Sequence, residues 1–384
     1  MNEFLIDVTR LVIRLMQGRI PTGVDRICVA YVQHYGKSGR AVLHRGRFGG
    51  VLTRRASREL FSLLLQPGDN FFCSVVGLIA KSPPMPLLRR KSAGRFLFNV
   101  GHSGLERPWY AQWLVRKKVR PIFMVHDLIP LTHPEFCRCG EDRRHAARMK
   151  NVLKTATGIV TNSQTTFETL SQFAALSGCA MPPAIAALPG GGILPQSFGP
   201  RPLPEPYFVM LGTVEPRKNH WMVLQVWRQL IEIHGSAAPR LVVLGQRGWD
   251  CQNVVSLLER SSHMRDFVLE RSNCSDAEIV TYLQHARALL FPSFVEGCGL
   301  PLIEALNLGV PVIASNLPVF SEIAGQVPEY LDPMDGKGWL AHIMDYSLPD
   351  SSRRAEQLQR MPHIKLPTWQ THFQTVGKFL EKLK

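Results

Sequence analysis

Residues 291–306 read FPSFVEGCGLPLIEAL, and the order of residue types in this stretch decides the architecture. Ala288 to Phe291 is an apolar run of strand length, Gly297 and Gly299 compact the loop that follows, and Pro301 suits a first helical position. A strand that passes through a glycine loop into a helix is half of a βαβ crossover, so the surrounding sheet is expected to be parallel. The loop and helix start expose backbone N–H groups at a positive helix end, where a phosphate or a sugar hydroxyl is readily held. Glu296 stands at the strand end and Glu304 one turn into the helix, so two carboxylates address one ligand from different sides. Either glutamate alone reads as a cap or a surface charge; both with the glycine loop resist that reading.

Working outward, the same alternation fills the second half. Tyr207–Leu211, Leu241–Leu244, Phe267–Leu269, Ala288–Phe291 and Pro311–Ala314 read as strands, with helices over His220–His234, Cys251–Ser261, Asp276–His285 and Pro301–Leu308. In the first half, strands are expected at Phe4–Ile6, Phe71–Val76, Phe96–Phe98, Ile122–Val125 and Gly158–Thr161, with helices at Arg26–Tyr35 and Arg143–Thr155. The Pro- and Gly-rich segment Leu188–Pro206 reads as a linker. The fold class is therefore α/β with two doubly wound, Rossmann-like domains: 1–200, 201–365, and a C-terminal helix over 366–384 that crosses back to the first. Ligands in such sheets bind where strands end and helices begin.

A second constellation, GTVEPRKNH at 212–220, follows the first strand of the second half. Its Arg217 offers a planar fork and Lys218 a point charge, suited together to a diphosphate. In the first half, His126 and Asp127 follow the strand Ile122–Val125, and His102 follows Phe96–Val100. Gly18–Gly23 precedes a helix whose first turn holds Asp25 and Arg26. Each histidine singly reads as a satisfied structural residue.

A chain of 384 residues, 45% hydrophobic and 20% charged, excludes a disordered or fibrous protein. No apolar run approaches the ~20 residues of a membrane span. Met1–Val8 carries Glu3 and Asp7 and lacks a basic start followed by a long apolar stretch, so the cytoplasm is the expected compartment. The eight cysteines are scattered, and only Cys137 and Cys139, near His133 and His145, hint at zinc; without a second pair no metal is expected. Residues 1–200 hold 27 Lys and Arg against 11 Asp and Glu, whereas 201–384 hold 18 against 19. The excess gathers at Arg45, Arg47, Arg54, Arg55 and Arg58, at Arg89-Arg90-Lys91 and Arg95, at Arg116-Lys117-Lys118 with Arg120, and at Arg143 and Arg144. Basic clusters beside Leu and Trp suit an anionic membrane surface. No nucleic-acid-binding signature accompanies them, so nucleic acid is not an expected partner.

At these residues the sequence resembles retaining glycosyltransferase family 4, of GT-B fold and bacterial surface-polysaccharide type. Glu296 to Glu304 resembles the family's Glu-x7-Glu motif, Gly212 to His220 its phosphate-binding segment, and His126 to Pro130 its His-Asp-Leu-Ile-Pro loop. Thr161–Ser163, Leu244–Trp249 and Pro311–Ser315 extend the likeness. The resemblance implies metal-independent transfer of a hexose, mannose above others, from a GDP- or UDP-linked donor that is substrate rather than cofactor. The acceptor it implies is a glycan or an undecaprenyl-diphosphate-linked chain at the inner face of the cytoplasmic membrane. It places Glu304 on the donor ribose, Glu296 on the transferred sugar, backbone from Gly297 through Cys298 and Gly299 to Leu300 on sugar and phosphates, Gly23 against the phosphate, and Arg217 and Lys218 on the diphosphate. His126 would approach the reacting centre, with His102 and Arg26 on the acceptor side. Thr213 stands where many relatives carry Arg, and Cys298 where an aromatic residue is usual. Retention is expected from same-face attack with the diphosphate as base; Asp127 as nucleophile is the rival. An epimerase on the same fold and a non-catalytic nucleotide-sugar-binding protein are the alternatives.

Overall fold

The computed structural model describes residues 4–19, 21–45, 48–86, 94–192 and 199–384. The expected basic groups at Arg47 and Arg89-Arg90-Lys91, and the middle of the expected linker, lie outside them. Contacts divide the chain into two units: residues up to 132 with 139–189 and 369–384, and residues 133–138 with 190–368.

In the first unit, strands β1 (Phe4–Asp7), β2 (Gly39–Arg45), β3 (Phe48–Val51), β4 (Met85–Pro86), β5 (Phe96–Asn99), β6 (Arg120–Val125), β7 (Gly158–Thr161) and β8 (Ala184–Ala186) form a sheet in the order β4-β3-β2-β1-β5-β6-β7-β8. The pairs from β2 through β1 to β8 are parallel, while β3 and β4 add antiparallel at the edge. The central strands are buried along their length, as expected when helices cover both faces. The helix Trp369–Lys382 belongs to this unit and is held by aromatic packing. Phe373 stacks on His34 at 3.9 Å and meets Tyr31 edge-on, while Tyr31 Oη lies 3.0 Å from His372 Nε2. A Cβ on Gly158 would sit 2.7 Å from Leu383 and 2.8 Å from Phe379, so the strand approaches this helix by having no side chain there.

One sequence expectation is overturned here. Phe71–Val76 is not a strand but the start of a helix, Phe71–Lys81. Phe71, Val75 and Leu78 are buried at helical spacing while the residues between them face out. It forms an antiparallel hairpin with the helix Arg54–Leu65, and Thr53 Oγ1 at the start of one lies 3.4 Å from Ser82 Oγ at the end of the other.

In the second unit, β9 (Tyr207–Leu211), β10 (Arg240–Leu244), β11 (Val268–Arg271), β12 (Leu289–Phe291), β13 (Val312–Ser315) and β14 (Glu329–Leu331) form an all-parallel sheet in the order β11-β10-β9-β12-β13-β14. Trp227, Trp339, Tyr346 and Phe208 are fully buried in the layer between sheet and helices. The chain winds outward from β9 to β11 on one side and from β12 to β14 on the other. The carboxyl ends of β9 and β12 are thus the point where the winding reverses. Among the described residues no helix is long and apolar enough to cross a membrane, and no group of three or more His, Cys, Asp or Glu is arranged to hold a metal ion.

Candidate active site

Both motif segments of the second unit start at that reversal. After β9 the chain turns at Gly212, φ +140°, against Gly245 at the end of β10. A Cβ on Gly245 would lie 1.9 Å from the Gly212 carbonyl oxygen, so only glycine permits this approach. Val214 then bridges to Arg247, with Val214 N donating to Gln246 O at 2.9 Å. Pro216–Lys218 makes a single 3-10 turn, ended by Asn219 at φ +57°, whose Nδ2 donates to Pro333 O at 2.7 Å.

That turn brings Arg217 and Lys218 onto Glu296 from the loop after β12. Lys218 Nζ pairs with Glu296 Oε1, Arg217 Nη1 lies 2.7 Å from Glu296 Oε2, and Ser293 Oγ donates to Oε1 at 2.8 Å. Arg217 Nε lies 2.5 Å from Glu215 Oε1, and the Lys218 ammonium sits 4.7 Å above the Phe291 ring. Burial alone would raise the Glu296 carboxyl, but Arg217 and Lys218 outweigh it and hold it below the usual carboxylate range. Burial lowers Lys218 against the pull of Glu296, and raises Glu215 against Arg217 and Lys218. Glu296, touching two cations, stays ionised. Two carboxylates and two cations therefore cancel at the head of the crevice.

The helix Leu300–Asn307 begins beside this cluster, with Gly299 as its N-cap and Pro301 in its first turn. A Cβ on Gly299 would press to 3.1 Å on the Phe320 ring. Gly297 is half-buried, while Cys298 is buried and its thiol pushed up to about 12, which keeps it protonated. Thr213 is half-buried in the β9 loop. Glu304 is buried in the helix, and its Oε1 accepts from Gly192 N at 3.2 Å. Gly191 rests so closely on the same helix that a Cβ would meet Asn307 Nδ2 at 2.9 Å. This part of the expected linker is seated on the helix rather than free. Residues 133–138 also belong here: Phe136 stacks on Phe294 at 5.1 Å and its carbonyl accepts from Trp249 Nε1 at 3.1 Å.

In the first unit the winding reverses between β1 and β5. His102, at φ +60° after β5, and His126, after β6, lie with ring centroids 4.9 Å apart. His102 Nε2 is 2.6 Å from Met124 O and His126 Nε2 is 2.7 Å from Val100 O. A carbonyl only accepts, so both Nε2 atoms carry hydrogen. Burial lowers both imidazoles and keeps them neutral, and His126 Nδ1 is left buried as an acceptor with no partner among the described residues. Asp127 Oδ1 accepts from Ile129 N at 3.1 Å and so caps the short helix Ile129–Thr132. His145 is committed to Asp127 O and to Arg148 Nη1. Gly23 opens the helix Gly23–Tyr35 and Arg26 is half-buried in its first turn. Asp25 closes a capping box with Thr22 and pairs with Arg10 and Arg14 at 2.8 Å each, which makes it a structural knot.

Three residues escaped the sequence reading. Glu215 and Ser293 shape the Arg217–Glu296 cluster, and each stands within three residues of a motif residue it serves. Asp7, at the end of β1, takes His44 Nε2 at 3.1 Å and Tyr110 Oη at 3.1 Å. Burial pushes His44 down, yet Asp7 outweighs it and raises the imidazole. No local signal marks this pair, because the partners sit far apart in sequence.

Comparison with known proteins agrees with the resemblance carried by the motifs. Residues 197–327 match the family profile described as glycosyl transferases group 1. The O-antigen chain mannosyltransferase B of Escherichia coli is 32% identical over 164 residues, covering 43% of this chain and 42% of the relative. The serotype-specific mannosyltransferase WbdA of Escherichia coli is 29% identical over 218 residues, covering 53% and 26%. The chain thus spans less than half the length of these relatives. Among solved structures, Anabaena HepE in complex with UDP-glucose superimposes with a TM-score of 0.70 over 100% of both chains at 13% identity. Sucrose-phosphate synthase of Thermosynechococcus elongatus does so with a TM-score of 0.56 over 75% of this chain and 73% of that one, at 16% identity. The fold is GT-B, with two Rossmann-like units in one chain.

Proposed function

We propose that the chain transfers a hexose, with the anomeric configuration kept, from a nucleotide-diphosphate sugar to a lipid-linked or polysaccharide acceptor in bacterial cell-surface glycan synthesis. The observation that carries this reading is the meeting of Arg217 and Lys218 with Glu296 at the winding reversal between β9 and β12. When the bond from sugar to diphosphate breaks, negative charge grows on the leaving phosphate. Two preorganised cations beside a helix N-terminus stabilise that charge more than they stabilise the ground state. Glu296, held ionised, is an acceptor for hydroxyls of the transferred sugar. Arg217 and Lys218 take the charge that a divalent ion would otherwise take, so turnover is expected to persist in EDTA. Mannose from a GDP donor is the preferred pair, supported by the names of the relatives; HepE was solved with UDP-glucose, which keeps a UDP donor in view.

The first unit supplies the acceptor side. His126, neutral with Nδ1 free to accept, is suited to a hydroxyl hydrogen and not to an anion. Same-face attack is favoured over a covalent intermediate, because one oxygen of Asp127 is engaged in capping the helix Ile129–Thr132. A trapped glycosyl-Asp127 peptide would reverse this choice. The one-sided basic charge of the first half supports a peripheral position at the inner face of the cytoplasmic membrane.

The test is incubation of the full chain with GDP-mannose, UDP-glucose and other nucleotide sugars, with and without a lipid-linked acceptor, reading product anomers by NMR. Transfer or donor hydrolysis with α product from α donor supports the proposal. An epimer formed from donor alone supports the epimerase instead. No turnover and no thermal shift with any nucleotide sugar removes the reading.

A further inference from the structure

Eleven large apolar side chains are exposed on the described surface, and five of them, Ile13, Leu65, Phe72, Val76 and Met85, fall within the first 85 residues. The other six are spread along the rest of the chain. Phe72 and Val76 are 55% and 45% exposed and stand one turn apart on the helix Phe71–Lys81, with Ala80 exposed one turn further. The inner face of the same helix packs through Phe71, Val75 and Leu78. This helix is apolar on both sides, and its outer stripe is about half exposed. A scattered exposed leucine needs no explanation, but a continuous apolar stripe does.

The charges around the stripe identify what covers it. The 3.4 Å approach of Thr53 to Ser82 sets the start of the helix Arg54–Leu65 beside the end of Phe71–Lys81, so exposed Arg54 and Arg55 stand near exposed Lys81, with Arg58 one turn on. Glu59 and Asp69 are the acidic residues of the hairpin, leaving a basic balance in a half-chain that is itself strongly basic. Apolar side chains that insert, flanked by arginines that stay in water, match the interface of an anionic bilayer. A second copy of the chain would meet the same arginines, and like charges oppose that pairing.

We propose that the helical hairpin Arg54–Lys81 is the membrane-docking face of the protein, with Phe72 and Val76 entering an anionic lipid surface and Arg54, Arg55 and Arg58 contacting its headgroups. The proposal deepens the reading of a lipid-linked acceptor and rests on it for its purpose. Its test needs no turnover. Full chain is floated with phosphatidylcholine vesicles that contain, or lack, roughly one-third phosphatidylglycerol. Flotation on the anionic vesicles alone, lost about tenfold in Phe72→Ser with Val76→Ser and again in Arg54→Glu with Arg55→Glu, supports the face. These residues are exposed, so each variant is expected to keep its melting temperature and its donor hydrolysis. Flotation unaffected by either pair of substitutions overturns the proposal, as does indifference of the native chain to lipid charge. A concentration-dependent dimer that Phe72→Ser dissolves assigns the stripe to a second copy and overturns it too. If flotation behaves as expected while no nucleotide sugar is ever turned over, the docking face stands and the proposed transfer falls.

Discussion

The carboxyl edge of β9 and β12 is built from full charges, whereas the loops after β5 and β6 hold neutral imidazoles tied to main-chain carbonyls. Both units have a central parallel sheet with a winding reversal, so the difference at that point lies in the side chains the loops carry. It teaches that the same sheet edge can present paired charges in one unit and neutral imidazoles in the other, which under the proposed function divides anion and hydroxyl between them. Under the proposed function a diphosphate would compete with Glu296 for Arg217 and Lys218, while nothing in the described residues competes for His126 Nδ1.

Four measurements would break or sharpen this contrast. Lys218→Met strips one cation from the charged edge and leaves Glu296 buried with less compensation; turnover is expected to fall by about a thousandfold, or ~4 kcal/mol, in a donor-hydrolysis assay. A drop below tenfold would show that the edge is not the leaving-group site. The neutral edge belongs to a unit rich in buried histidine, and acid should reveal it. Burial brings His372 down to about 4 against an ordinary value near 6.5, so the unfolded chain binds the proton first. Stability conferred by the neutral ring is complete above about pH 6.5 and declines as pH falls toward 4, by up to about 3 kcal/mol. Hydrogen exchange should show the helix Trp369–Lys382 losing protection between about pH 7 and 5. His126→Asn should lower turnover about a hundredfold with nucleoside diphosphate affinity unchanged, by kinetics and calorimetry together. Equal losses in both would merge the two edges into one role. The smallest effect is expected from Glu215→Gln, which leaves the charged edge one unit more positive. Nucleoside diphosphate should bind about fivefold tighter and leave more slowly, and weaker binding would show that aiming Arg217 outweighs charge balance.

The second unit was legible because its strands are buried on both faces and its loops carry glycine, proline and paired charges in short range. The Tyr207–Leu211 strand and the Leu300–Asn307 helix fall within a residue of their expected ends. The first unit was less so. FFCSVVGLIA looks like a strand because apolar residues fill the outward positions of a helix, which a core-facing pattern leaves polar. Strands β2 and β3, rich in His, Arg and Gly, carry no apolar alternation to read. Pairs such as Asp7 with His44, or Gly192 with Glu304, exist only after distant segments fold together.

The helix Trp369–Lys382 completes the first unit, although the segment before it, back to Gly190, belongs to the second. During synthesis the second unit can therefore finish folding while the first still waits for its closing piece. Tyr31, His34 and Phe373 come together only after the second unit has been synthesised. A premature stop after Thr368 would thus injure the beginning of the protein and spare its neighbour in the gene, with chaperone dependence as the outward sign.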